Sequence, residues 1–250
     1  MVFRLNKKRD KKQLIGGVIG GMGPLATVDF MSRVIMLNPI KTEKDHVHLI
    51  VDQNPHVPNR QIKTSEQRDE IASMLAESAK KLEIAGANFI VMPCNTAHMF
   101  TEEIKKVIDI PFLHIVEEAV IEISKNHPKK MAVGIMATSA CLESKIYQEG
   151  LSEANRSFII PDERLQEECM KIIFSIKDGK EINPMQNRMV KVAKHLIAKG
   201  AEIIIAGCTE IPLILKASDI EVPLISSTEI LALRTIEFAS GIELERNIIK

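Results

Sequence analysis

Two stretches of this chain repeat each other at one fixed offset, and that repetition restricts the fold more than any other feature of the sequence. Gly86-Ala87 and Gly200-Ala201 each precede a hydrophobic strand pattern and then a cysteine, Cys94 in the first copy and Cys208 in the second. The differences 200 − 86 and 208 − 94 are both 114, and Gly20 and Gly134, which close the first strand of each half, share that offset. The same shift sets Met22 over Met136 and Leu82 over Leu196; further on, Pro111 matches Pro223 at 112, which an insertion or deletion of two residues explains. A glycine between helix and strand is ordinary punctuation in α/β chains. The coincident cysteines turn the punctuation into a repeat and predict two homologous lobes.

Within each half, strand and helix patterns alternate. Strands are predicted at Leu14 to Ile19, Val47 to Val51, Asn88 to Met92, Phe112 to Val116, Met131 to Met136, Glu202 to Ala206 and Val222 to Ile225. Between them, helix signals start near Pro24 and at Thr64, whose spacing to Gln67 is that of a capping box. Further helices fit the stretch to Lys125, Leu142 to Leu151, Asp162 to Ile176, Pro184 to Lys199 and Thr228 to Ala239. Such alternation calls for an α/β fold of two pseudosymmetric lobes, each a mostly parallel sheet flanked by helices, with ligands at the carboxyl ends of strands. The expected boundaries are residues 14–112 plus 226–250 for the lobe carrying Cys94, 113–225 for the lobe carrying Cys208, and 1–13 for a basic tail. The site is expected in the cleft between the lobes.

Composition narrows the partners. Lysine plus arginine equals aspartate plus glutamate at 33 each, so no global field favours nucleic acid or an anionic membrane surface. No apolar run approaches the ~20 residues of a membrane span, and a secretory signal pattern is missing, so a cytoplasmic protein with a small-molecule partner is expected. The four cysteines, Cys94, Cys141, Cys169 and Cys208, are widely spaced without CxxC or metal-finger spacing, which argues against structural zinc. Cys169 falls in a helix pattern and reads as core.

A pair of like acid/base groups on opposite sides of one ligand suits inversion of a carbon that bears a hydrogen, because one proton leaves one face while another arrives on the other. Cysteine fits when helix N-termini and nearby donors lower its pKa. Asn95 and Thr96 follow Cys94, and Thr209 follows Cys208; their hydroxyl, amide and N–H groups make a donor cluster for a substrate carboxylate, although helix capping explains the same residues. His98 serves either as a thiol's partner or as a packing residue.

Gly20-Gly-Met-Gly-Pro-Leu-Ala-Thr27, Pro55-His-Val-Pro-Asn-Arg60, Pro93-Cys-Asn-Thr-Ala-His98 and Gly207-Cys-Thr-Glu210 together resemble the aspartate/glutamate racemase family, in its aspartate racemase branch. The resemblance runs through nearly the whole chain after about residue 14. It implies a racemase that needs neither pyridoxal phosphate nor metal, works through two thiols, and is commonly a homodimer. It implies that Cys94 and Cys208 are the catalytic thiols and that Asn95, Thr96 and Thr209 contact the substrate α-carboxylate or α-amino group. Met22 and Pro24 would form the wall of the site, Arg60 would hold the side-chain carboxylate of an acidic amino acid, and Lys177, with Lys180 as fallback, would supply a second cation. Thr138 matches a further contact. Two positions depart from the pattern: Cys141 stands where a threonine is usual, and Ser226 where an aspartate is frequent. Interconversion of L- and D-aspartate is the leading expectation. A glutamate or broad-specificity racemase is the close alternative, and a non-catalytic amino-acid-binding protein the remote one.

Overall fold

Among the described residues, eight short strands form two four-stranded sheets, and every pairing is parallel. The first sheet contains β1 (Gly16–Gly20), β2 (Leu49–Gln53), β3 (Phe89–Val91) and β4 (Phe112–Leu113) in the order β2-β1-β3-β4. The second contains β5 (Ala132–Met136), β6 (Ser157–Ile159), β7 (Ile203–Ala206) and β8 (Leu224–Ser226) in the matching order β6-β5-β7-β8. Parallel strands need long crossovers, which helices supply: α1 (Pro24–Leu37), α2 (Ser65–Ile84) and α3 (Thr101–Lys105) in the first sheet, and α5 (Ser139–Glu143), α6 (Ile146–Glu153), α7 (Glu163–Lys177) and α8 (Gln186–Ala198) in the second; α4 (Ile115–Asn126) runs from β4 to β5, and α9 (Ser227–Ser240) follows β8. The expected two-lobed α/β fold with parallel sheets and flanking helices is the fold observed.

This computed structural model describes residues 13–180 and 183–241. The chain divides into one unit that runs to Ile115 and resumes at Glu229, and a second, Val116–Thr228. The basic tail expected over residues 1–13 lies, apart from Gln13, outside the described residues. Among the described residues, no helix is long and apolar enough to cross a membrane.

Each unit is built around its own core. In the first, Ile19, Ile71, Leu75, Leu82, Ile90, Met92 and Phe100 pack together with Cys94; in the second, Met136, Ile172, Met189, Leu196, Ile204 and Ile211 pack together with Cys208 and Cys169. The central strands β1, β3 and β7 are buried at every position, which is why they read as continuous apolar runs rather than as alternating ones.

The two units repeat each other down to single hydrogen bonds. Gly86 and Gly200 close α2 and α8 at φ of +100° and +99°, a conformation glycine adopts without steric cost, and Ala87 and Ala201 then donate to the carbonyls of Leu82 and Leu196. Ile90 and Ile204 donate to the carbonyls of Pro111 and Pro223, the pair offset by 112. One expected landmark is corrected. Phe89 pairs with Gly16, and its counterpart Ile203 pairs with Val133, so the first strands stand 133 − 16 = 117 apart, not 114. Gly17, rather than Gly20, is therefore the counterpart of Gly134. A Cβ on Gly17 would meet Ile90 at 2.7 Å, Ala87 at 2.9 Å and Leu82 at 3.2 Å; on Gly134 it would meet Ile204 at 2.6 Å and Ala201 and Leu196 at 3.1 Å. Both glycines let a helix lie directly on the sheet. Met136 accordingly matches Ile19, and its equivalence with Met22 falls.

Three local expectations also shift. The strand predicted to reach Val116 stops at Leu113, and α4 begins at Ile115. The helix region at Leu142 to Leu151 is two helices, broken where Lys145 takes a left-handed φ of 59°. The edge strand β6 carries no alternating signal and was not anticipated.

Candidate active site

In a parallel sheet, ligands settle beyond the carboxyl ends of the strands at the point where successive connections leave in opposite directions. In the first unit, that point lies between β1 and β3, and in the second between β5 and β7. Cys94 follows β3, and Cys208 follows β7, so each unit carries one buried free cysteine at its own switch point.

The Cys94 turn is held by its backbone. Its N–H donates to the Met92 carbonyl at 2.8 Å, and its carbonyl lies 2.8 Å from Nδ1 of His98. The Ile115 N–H donates to Nε2 of the same ring at 3.1 Å, so Nε2 accepts and Nδ1 carries the proton it gives to Cys94. His98 is thus a neutral tie between the cysteine turn and the start of α4, and the packing role is the one observed. Burial, then the neighbouring His114, pushes its pKa well below the ordinary imidazole range, and His114 itself is lowered by burial to about 4. Asn95 and Thr96, which follow Cys94 in the chain, are buried. The α-helix start expected there is a single 3-10 turn, Thr96–Phe100, followed by the five residues of α3.

Across the switch point, the glycine-rich turn is stapled by Thr27, whose hydroxyl accepts from the Gly21 N–H at 2.9 Å and donates to the Gly23 carbonyl at 3.3 Å. Met22 is buried, whereas Pro24 is exposed at the first position of α1. Arg60 is buried and spends its guanidinium on the backbone: Nη1 donates to the carbonyls of Val57 and Pro58 at 3.1 and 2.8 Å, and Nη2 to that of Met22 at 3.2 Å. It clamps the proline loop onto the glycine turn, with Nε–H and one Nη2 proton left over from its five donors.

The Cys208 turn presses against Tyr147. Gly207 donates to the Met136 carbonyl at 2.8 Å, and a Cβ at Gly207 would come within 2.9 Å of the tyrosine ring. The thiol of Cys208 donates to Oε2 of Glu210 at 3.0 Å, the Thr209 hydroxyl donates to the same oxygen at 3.3 Å, and Lys177 reaches Oε1 at 3.6 Å from the end of α7. The expectation of an acidified thiol reverses here: burial, then the Glu210 carboxylate, push the Cys208 pKa well above the ordinary thiol range, with Lys177 pulling the other way. Lys180 is exposed beside Asp178, so Lys177 is the lysine brought to the cysteine. Thr138 caps α5 by accepting from the Cys141 N–H at 3.3 Å, and Cys141 itself is fully buried. Cys169 is core, its thiol pushed up to about 12 by burial.

Glu210 is the residue missed on the sequence, although it closes the second cysteine motif. In the 114 register it corresponds to Thr96, and a carboxylate replacing a hydroxyl inside a repeated motif is the signal that marks it. Gln166 was also missed; from α7 its amide donates to the Ala137 carbonyl at 3.0 Å and to the Ser139 hydroxyl at 3.2 Å, holding the β5 switch-point turn. Among the described residues, no group of three or more His, Cys, Asp or Glu side chains is placed to hold a metal ion.

Residues 19–235 match the family described as Asp/Glu/hydantoin racemase. The chain belongs to that family. The broad specificity amino-acid racemase RacX of Bacillus subtilis (strain 168) is 33% identical over 226 residues, covering 88% of this chain and 96% of the relative. The aspartate racemase of Picrophilus torridus is similar in structure, with a TM-score of 0.82 and 29% identity over 93% of this chain and 96% of that one. An aspartate racemase homologue from Pyrococcus horikoshii OT3 has a TM-score of 0.74 at 28% identity, over 92% of this chain and all (100%) of its own. As a member of the Asp/Glu/hydantoin racemase family, the chain is an amino-acid racemase.

Proposed function

We propose that this racemase interconverts L- and D-aspartate without a cofactor, using Cys94 and Cys208 as two acid/base groups on one substrate carbon. The observation that carries the reading is the repeat: two like folds each deliver one buried cysteine at the same place past the third strand. One thiol, as thiolate, removes the α-hydrogen, and the other, protonated, returns a hydrogen to the opposite face; the reverse direction exchanges the roles. The α-carboxylate is held by Asn95, Thr96, Thr138 and Thr209, whose donors also stabilise the charge that spreads onto it as the α-hydrogen leaves. Met22 and Pro24 wall the site, and Arg60 and Lys177 attract the second carboxylate of the substrate.

Broad amino-acid specificity is the second reading. Its support is that Arg60 already holds three backbone carbonyls and Lys177 already pairs with Glu210, so neither cation is reserved for a side-chain carboxylate. The similarity to RacX points the same way. The same proposal includes a homodimer acting in the cytoplasm, and α1 offers an apolar face for pairing in Leu25, Val28, Ile35 and Met36, all at least half exposed.

Incubating a panel of L-amino acids with protein in deuterated water tests the proposal. Loss of optical rotation and deuterium at Cα are expected with aspartate, and the loss of optical rotation should vanish in Cys94→Ser and Cys208→Ser. Folded, reduced protein giving neither signal with any amino acid would overturn it. Arg60→Leu separates the two readings: a selective loss with aspartate supports the acidic one, an equal loss across the panel the broad one.

A further inference from the structure

The repeat makes the two cysteines equivalent in position, but their surroundings are not equivalent. Next to Cys208 stands the buried carboxylate of Glu210, 2% exposed, with its Oε2 accepting the thiol proton at 3.0 Å. In the first unit the corresponding residue is Thr96, a neutral hydroxyl, and among the described residues no carboxylate hydrogen-bonds the Cys94 thiol. His98 is no substitute, because its ring binds the Cys94 carbonyl.

Ionising Cys208 would put two anions 3.0 Å apart in a place where both are buried, an arrangement that disfavours the second charge strongly. The opposing groups are few. Lys177 sits 3.6 Å from the other carboxylate oxygen, and the Glu210 N–H also favours the thiolate, whereas the Tyr147 phenol, held protonated by burial, hydrogen-bonds Ser227. Resting on the two-thiol reading, we infer that Glu210 keeps the proton on Cys208, so that the free enzyme starts with Cys208 as the acid and Cys94 as the base. Glu210 is then a catalytic residue, and the two thiols are not interchangeable.

In the turnover that starts from this state, the Cys94 thiolate takes the α-hydrogen, forming its S–H bond. The Cys208 S–H bond breaks as its proton goes to the opposite face of the α-carbon. Cys208 is left as a thiolate beside Glu210 and regains a proton from water, while Cys94 loses its own. The enantiomer whose α-hydrogen faces Cys94 meets an enzyme already in the right state; the other one must wait for both protons to move.

Thiol labelling tests this without any turnover. Native protein is treated with iodoacetamide across pH 6 to 10, and the labelling rates of the Cys94 and Cys208 peptides are followed by mass spectrometry. In Glu210→Gln, the Cys208 rate at neutral pH is expected to rise about tenfold or more, because more of the thiol is thiolate there, while the Cys94 profile stays in place. Glu210→Asp should restore most of the wild-type profile. An unmoved Cys208 profile in Glu210→Gln, with Cys94 labelling as in wild type, overturns the inference.

Should Glu210→Gln fail to fold, Lys177→Met carries the test with the opposite sign. Removing the cation is expected to slow Cys208 labelling further, and an unchanged or faster rate overturns the inference. Racemisation without the labelling shift removes this inference alone. The labelling shift in a chain that does not racemise removes the two-thiol reading, and with it the catalytic role of Glu210.

Discussion

At the scale of single residues, charge state is set by burial more than by sequence neighbourhood. His114 stays neutral in the folded chain down to about pH 4, whereas an unfolded histidine charges near its ordinary value of 6.5. As pH falls from 6.5 towards 4, unfolding therefore takes up a proton that the folded chain does not bind, and stability declines through that window and levels off below it. The loss from His114 amounts to about 3 kcal/mol, and His98, shifted the same way, adds to it. Urea unfolding measured from pH 7 to pH 4 should show the decline, and His114→Phe should flatten it; an equally steep decline in the variant would contradict the assignment. None of this could be read in advance. The sequence displays Glu210, Gln166 and His98, but whether a polar side chain is buried, and against what, depends on contacts across the sheet that no local pattern encodes. Arg60 shows the same limit: the family resemblance implies a substrate carboxylate, and its hydrogen bonds go to the carbonyls of Val57, Pro58 and Met22.

Among elements, the legible parts were those with a strong local signature. The buried central strands, the Thr64 cap that accepts from the Gln67 N–H at 3.3 Å, and the left-handed glycines that end α2 and α8 all lie where their sequences predicted. What escaped was short or unmarked. β6 is a three-residue edge strand with two exposed positions, so it has neither a buried face nor a second partner to impose a pattern. The break between α5 and α6 falls on Lys145, a residue that gives no warning of a left-handed turn. The offset of 117 between β1 and β5 was hidden because glycine recurs at positions 16, 17, 20 and 21, and a count from Gly20 also gives 114. The corrected register makes a paired prediction. Gly17→Ala and Gly134→Ala should each cost about 1–3 kcal/mol in urea unfolding, because the new methyl meets the facing isoleucine at 2.7 and 2.6 Å. Gly207→Ala should also disturb the Cys208 turn through the Tyr147 ring, lowering turnover more than stability. Near-native stability in both of the first two variants would contradict the register.

For the molecule as a whole, the repeat is the most informative feature of the sequence, because it predicts two like folds that each carry a matched cysteine, Cys94 and Cys208. The matching sheet orders β2-β1-β3-β4 and β6-β5-β7-β8 account for it, and the family match places the chain among amino-acid racemases. Substrate identity is less legible, since specificity depends on a few side chains whose partners are set only in the folded chain. The proposed racemisation requires that two thiols serve one carbon. Its most direct test is L-aspartate in deuterated water, sampled before a tenth of it has reacted, with the α-hydrogen of both enantiomers followed separately. Two opposed thiols predict D-aspartate carrying deuterium at Cα while the remaining L-aspartate keeps its hydrogen. Deuterium appearing equally in recovered L-aspartate, or product that retains the original hydrogen, would contradict the account.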